Sequence, residues 1–175
     1  LFDFLIVKSR LSLTCKLWCL GVSHTRLIAR LDIRNSNLIK TINLEGVRKI
    51  GDPNEFAYRY FMDGIDEIVY MDVVASLYDR SYFDDIIGRT AENVFVPITA
   101  GGGIRTLQDV EQVLRSGADK IAVNTAAINN PDFIGEIAHR FGSQCMVLSI
   151  EALRNGPKSW EAYCDGGREH TGRSV

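Results

Sequence analysis

From Arg26 onward, short apolar runs alternate with longer amphipathic stretches. The runs Leu27–Leu31, Ile68–Met71, Val94–Thr99, Ile121–Val123 and Met146–Ile150 are too short for helices. They read as buried strands of the kind that parallel sheets cover on both faces. The stretches between them carry helix punctuation. Asp52-Pro53-Asn54-Glu55 places a capping side chain, an N1 proline and an N3 carboxylate in order, with Gly64 as the stop. Ser81 with Asp84 and Thr106 with Asp109 repeat the capping pattern, and Gly117 ends the second of these helices. Asn130-Pro131 opens a fourth helix, closed by Gly142, whose Ile134, Ile137, Ala138 and Phe141 form one apolar stripe. Repeated strand–helix units imply right-handed crossovers and a parallel sheet, either doubly wound or closed into a barrel.

Residues 1–25 break this rhythm. Leu11–Val22 is apolar but interrupted by Lys16, well short of the ~20 residues that span a bilayer. A signal peptide's basic start, unbroken apolar centre and cleavage site are missing. These residues are therefore expected to be a leader outside the fold, and the protein to be cytoplasmic with no membrane partner. Cys15 and Cys19 could form one edge of a metal site, but no second ligand pair follows. No metal is expected.

Composition narrows the class further. The 175 residues are 46% hydrophobic and 24% charged, with 15 Gly and 4 Pro, which excludes collagen-like and disordered chains. A net charge of −2 gives no support to nucleic-acid binding. Four cysteines are too few for a disulfide-stapled scaffold. Cys145 is expected in packed core, Cys164 in a hairpin, His139 facing solvent and His170 in a loop. No cofactor motif is present.

Chemistry gathers where the strands end: Asp32, Asp72, Gly101-Gly102-Gly103, Asn124-Thr125 and Glu151. In parallel α/β folds, ligands collect at these carboxyl ends. The glycines of ITAGGGIRT let backbone N–H groups approach an anion, although a tight strand-to-helix turn would use them too. Asn124-Thr125 on the next strand would complete one phosphate cradle. Asp32 and Glu151 each precede an Arg-Asn loop and could divide acid and base roles. Alternatively, each caps a loop or pairs with Arg34 or Arg154.

The blocks LDIRNSNLIKTINLEG, GIDEIVYMDVVAS, VPITAGGGIRTLQDV, GADKIAVNTAAINNP and FGSQCMVLSIEA resemble the cyclase subunit of imidazole glycerol phosphate synthase, the HisF family. FGSQ and the hairpin WEAYCDGGREHTG favour it over the sister isomerase of histidine biosynthesis. The resemblance implies a (βα)₈ TIM barrel of the ribulose-phosphate-binding type, in two similar halves. It implies a lyase that closes an imidazole ring with ammonia from a glutamine amidotransferase (glutaminase) partner. Its phosphorylated substrate is a ribulosyl formimino aminoimidazole carboxamide bisphosphate. The products are imidazole glycerol phosphate and aminoimidazole carboxamide ribotide.

On this resemblance the principal catalytic carboxylate falls on Asp32 and its opposite partner on Glu151. Lys40, in the loop after the first strand, matches a lysine that covers the site; read alone it is a solvated loop lysine. Gly102, Gly103, Asn124 and Thr125 match one phosphate site. Arg26, Glu67 and Lys120 match a charged ring where ammonia enters, and Asp119 a contact to the glutaminase. Without the resemblance, Glu67 and Lys120 read as an ordinary buried ion pair.

Three departures from the family pattern stand out. The usual Cys-Leu-Asp is Arg30-Leu31-Asp32, and strand alternation points Arg30 to the same side as Asp32. Glu151 replaces an Asp. Residues 26–175 cover the first five strands and a hairpin of a barrel of ~250 residues. The expectation is an amino-terminal part that is inactive alone, since five parallel strands cannot close an eight-stranded barrel. The alternatives are a cyclase-like paralogue of surface-polysaccharide synthesis and a non-catalytic half-barrel.

Overall fold

The computed structural model describes residues 4–7, 25–42, 45–73, 81–164 and 167–175. Its strands are β1 (Phe4–Val7), β2 (Arg26–Arg34), β3 (Asn37–Ile42), β4 (Glu45–Gly51), β5 (Glu67–Asp72), β6 (Ile98–Gly101), β7 (Lys120–Val123), β8 (Met146–Leu148), β9 (Glu151–Gly156), β10 (Ser159–Cys164) and β11 (Glu169–Ser174). The helices are α1 (Pro53–Met62), α2 (Ser81–Ala91), α3 (Leu107–Arg115), α4 (Thr125–Asn129) and α5 (Asp132–Phe141).

One sheet runs in the order β4-β3-β2-β5-β6-β7-β8. Its five members β2, β5, β6, β7 and β8 are parallel neighbours, as the strand–helix rhythm predicts. β1 lies in the stretch read as a leader and pairs antiparallel with Arg26–Ala29 of β2. The antiparallel β3 and β4 were not expected. Arg34 pairs with Asn37 across the Asn35-Ser36 turn, where Asn35 takes a φ of 53°, a conformation Asn tolerates better than most residues. Lys40 therefore lies in strand β3 rather than in a loop, opposite Arg48 and exposed.

Strand alternation gives the sheet two unlike faces. Ala29, Leu31 and Ile33, Ile68 and Tyr70, Ile98 and Ala100, and Ile121 and Val123 join one core beneath the helices. Phe83, Ile87, Val110, Val113 and Ile137 close over them, each exposed by no more than 1%. Burying each such side chain contributes about 1.5–3 kcal/mol. The opposite face carries the polar side chains of Arg26, Arg30, Asp32, Glu67, Thr99 and Lys120 among the apolar Ile28, Val69, Met71 and Ala122. Covered apolar strands were expected on both sides; the second side instead mixes charged and apolar side chains.

Two of the helix caps follow the sequence. Asp52 accepts from the Asn54 and Glu55 N–H groups. Thr106 and Asp109 form a reciprocal capping box at the start of α3. Thr106→Ala is expected to cost about 1 kcal/mol, lowering Tm by roughly 2–4 °C in a thermal melt. The third strand, expected at Val94–Thr99, begins at Ile98. Val94 instead donates its N–H to the Thr90 carbonyl at the end of α2, and Pro97 has no N–H to offer a ladder.

Two junctions entering the sheet share one construction: Gly64-Ile65-Asp66-Glu67-Ile68 and Gly117-Ala118-Asp119-Lys120-Ile121. Each glycine turns the chain at positive φ, 88° and 117°. Asp66 accepts from the Leu27 N–H at 2.7 Å and donates its own N–H to the Leu27 carbonyl at 3.0 Å. Asp119 does the same with Ile98, at 2.8 Å in both directions. The aspartate thus clamps its strand to the neighbouring one, and the next residue is a charged side chain on the polar face.

Candidate active site

At the amino end of the polar face, Glu67 collects three donors. Lys120 Nζ lies 2.9 Å and Thr99 Oγ1 2.7 Å from its Oε1, and Arg26 pairs with Oε2. Glu67 is buried while Lys120 and Arg26 reach solvent. Burial pushes the Glu67 carboxyl up, but the hydrogen bonds from Lys120 and Thr99 and the charges of Lys120 and Arg26 outweigh it. The net result lies below the ordinary carboxylate value. Alternation within each strand and the register β5-β6-β7 bring these residues together. Thr99 was not anticipated, because its face becomes readable only once the strand is known to start at Ile98. Asp119 sits beside this cluster, exposed, with its carboxylate on the Ile98 N–H.

Asp32 lies on the same face, two residues from the end of β2. Arg30, not Arg34, is its partner: Nε donates to Oδ1 at 2.8 Å. Their side chains are 40% and 23% exposed, Arg30 and Asp32 respectively.

The glycine loop follows β6, and Asn124-Thr125 follows β7. Gly101 pairs with Ala122, so the two segments leave adjacent strands at neighbouring positions. Gly102 and Gly103 both take positive φ, 98° and 62°. A Cβ on Gly102 would stand 2.1 Å from the Asp72 carbonyl oxygen. Asp72 itself is buried and accepts from the Tyr82 hydroxyl at 2.6 Å, tying the start of α2 to the same strand end. Gly102→Ala is expected to cost about 2–4 kcal/mol through strain and collision. A thermal melt should read this as a Tm roughly 5–10 °C lower; an unchanged melt would show that the loop moves freely to admit the methyl.

Thr125 opens the five-residue helix α4, which the sequence did not announce because Asn124 makes no side-chain cap. The Asn124 amide instead donates to the Tyr163 carbonyl of β10 at 3.0 Å. This links the cradle to a separate three-stranded sheet, β11-β10-β9. The WEAYCDGGREHTG hairpin is its β10–β11 part.

Glu151 starts β9 in that small sheet, paired with Tyr163. Its Oε2 accepts the Gly167 N–H at 2.8 Å. Arg154 is not its partner, since its Nε donates to the Gly156 carbonyl. Asp32 and Glu151 thus come from strands separated by β5, β6, β7 and β8. No hydrogen bond or ion pair among the described residues joins them.

The described cysteines and histidines lie outside this face. Cys164 is buried with its thiol 3.7 Å from Glu169, and Cys145 donates to the Phe141 carbonyl. His139 is exposed. His170 lies in β11, not in a loop, pairing with Glu161 at 3.1 Å and stacking on Tyr163. Cys15 and Cys19 lie outside the described residues. Among the described residues no group of three potential ligands could hold a metal, and no helix is long and apolar enough to cross a membrane.

Residues 26–175 match the family model described as Histidine biosynthesis protein. The chain is 60% identical over 154 residues to imidazole glycerol phosphate synthase subunit HisF of Legionella pneumophila, covering 88% of this chain and 73% of that protein. It is 49% identical to the HisF subunit of Mycobacteroides abscessus over 85% of this chain and 60% of the relative. For the HisF subunit of Dictyoglomus thermophilum the identity is 46%, over 84% of this chain and 58% of the relative. The chain thus spans less than two thirds of the latter two proteins.

Proposed function

The chain belongs to the histidine biosynthesis protein family, in its HisF branch, and from that premise we propose that it carries the ammonia-using active face of an imidazole glycerol phosphate synthase cyclase. One observation carries the reading. A single polar sheet face holds the Arg26–Glu67–Lys120 cluster at its amino end, with Asp32 and the glycine and Asn-Thr loops toward its carboxyl ends. That order suits a small nitrogen nucleophile entering at the base and a phosphorylated substrate seated at the rim.

The chemistry then divides among named groups. Backbone N–H groups at Gly102 and Gly103, with Asn124 and Thr125, bind one phosphate of the ribulosyl formimino aminoimidazole carboxamide bisphosphate. Asp32, partly exposed and held from one side by Arg30, transfers protons at the reacting carbons and nitrogen. Glu151 supplies the second carboxyl, and Lys40 on the β3–β4 hairpin covers the bound substrate. Lys120, Arg26 and Glu67 form the entrance for ammonia, and Asp119 beside them lies on the face that meets a glutaminase partner. The protein acts in the cytoplasm and needs neither a cofactor nor a nucleic-acid partner.

The test joins the chain after Val175 to the part of the Legionella relative that lies beyond the match. This fusion is expected to form imidazole glycerol phosphate when ammonium is supplied, while the 175-residue chain alone is expected to be inactive. A folded fusion that forms none at any ammonium concentration overturns the reading. Arg30 and Glu151 favour a second reading, a paralogue of surface-polysaccharide synthesis. Rescue of a histidine auxotroph lacking the cyclase would argue against that one.

A further inference from the structure

We infer that Arg30 is a positioning residue of this active face. It fixes the Asp32 carboxylate through Nε and so holds that group in the orientation from which it transfers protons. The inference rests on the cyclase reading for its reaction, and on the geometry of β2 for its substance.

Arg30 and Asp32 are two residues apart on one strand and share its polar face. The guanidinium carries five donors in a planar fork, of which the Asp32 pair uses Nε alone. Among the described residues Arg30 makes no second ion pair or hydrogen bond. Other arginines are engaged through their terminal nitrogens: Arg26 by Glu67, Arg89 by Asp52 and Asp85, and Arg115 and Arg140 by Glu111. The terminal nitrogens of Arg30, next to that Nε bond, have no partner among the described residues.

The pair is partly exposed, and such pairs contribute little to stability. A structural purpose is therefore a weak account of an arginine here. A geometric one is stronger. A single Nε–H bond to Oδ1 limits rotation of the carboxylate and leaves Oδ2 free for proton transfer. Lysine would offer a mobile point charge in place of a planar fork.

In the fusion described above, Arg30→Met is expected to lower kcat by about 10–100-fold with KM changed by less than about three-fold. Arg30→Lys should recover only part of the loss, and added guanidinium ion should partly restore Arg30→Ala. An unchanged kcat in Arg30→Met overturns the inference. So does a loss in Arg30→Ala that guanidinium leaves untouched while the melting temperature falls. A second measurement separates this inference from the cyclase reading. In the 175-residue chain, the Arg30 Nε–H proton, followed by nitrogen-edited NMR, should exchange more slowly than in its Asp32→Ala variant. If the unsubstituted fusion forms no product but exchange is slowed, the cyclase reading fails and the positioning pair stands. Equal exchange in the two chains means that the pair does not hold in solution, and the inference fails whatever the fusion does.

Discussion

Asp32→Asn, placed in the fusion with the Legionella segment, is expected to lower kcat by about 10²–10⁴-fold while leaving substrate affinity within about three-fold. The substitution keeps the shape of the side chain. An asparagine oxygen can still accept from Arg30 Nε, so the local geometry on β2 survives. What disappears is the group that takes up and returns a proton. The ion pair that is lost is partly exposed on both sides, and such pairs are worth about 0–1 kcal/mol. Fold stability should therefore hardly change. Steady-state kinetics with saturating ammonium, together with a thermal melt, give both readings. Turnover at the unsubstituted rate would remove Asp32 from the chemistry; a collapse of the melt would make it a structural residue instead.

Glu67→Gln should lower the stability of the fold substantially. Glu67 is only 4% exposed and answers two cations and a hydroxyl. Removing its charge leaves Lys120 and Arg26 facing each other without the anion between them. Breaking a fully buried pair costs about 3–5 kcal/mol. Because both cations reach water, we expect about 2–3 kcal/mol here.

The same group sets a pH dependence. Its folded carboxyl lies below the ordinary value, so protons bind the unfolded chain more readily than the folded one. The stabilisation is complete above the unfolded value of about 4.3 and is lost as pH falls through the lower folded value. Urea midpoints should therefore fall more steeply on acidification in the unsubstituted chain than in Glu67→Gln. Identical acid profiles would show that the carboxylate is not held in its charged form by these neighbours.

The parallel core was legible because its signals are local. Apolar runs, the Asp52-Pro53 start, the Thr106–Asp109 box and the stops at Gly64 and Gly117 each depend on a few adjacent residues. The β2–β3–β4 meander was harder to read because Asn35 turns the chain within two residues. With that turn unnoticed, Lys40 reads as a loop residue. The start of β6 was misplaced by the apolar Val94–Val96, of which Val94 bonds through its N–H to the end of α2. The candidate site was legible as a set of strand ends, but only some of its partners were. Arg30 beside Asp32 was visible in strand alternation, whereas Thr99 for Glu67, Gly167 for Glu151 and the Tyr163 carbonyl for Asn124 follow from register or from a second sheet. No spacing along the chain announces them.

The two glycine–aspartate junctions share one electrostatic requirement. Each repeats the same local grammar, yet the residue after the clamping aspartate is acidic in one copy and basic in the other. Across β6 these two side chains meet, Lys120 Nζ on Glu67 Oε1. Two identical copies would have set like charges against each other beside a buried threonine. The opposite sign at this single position is what allows the same junction to be used twice in one wall.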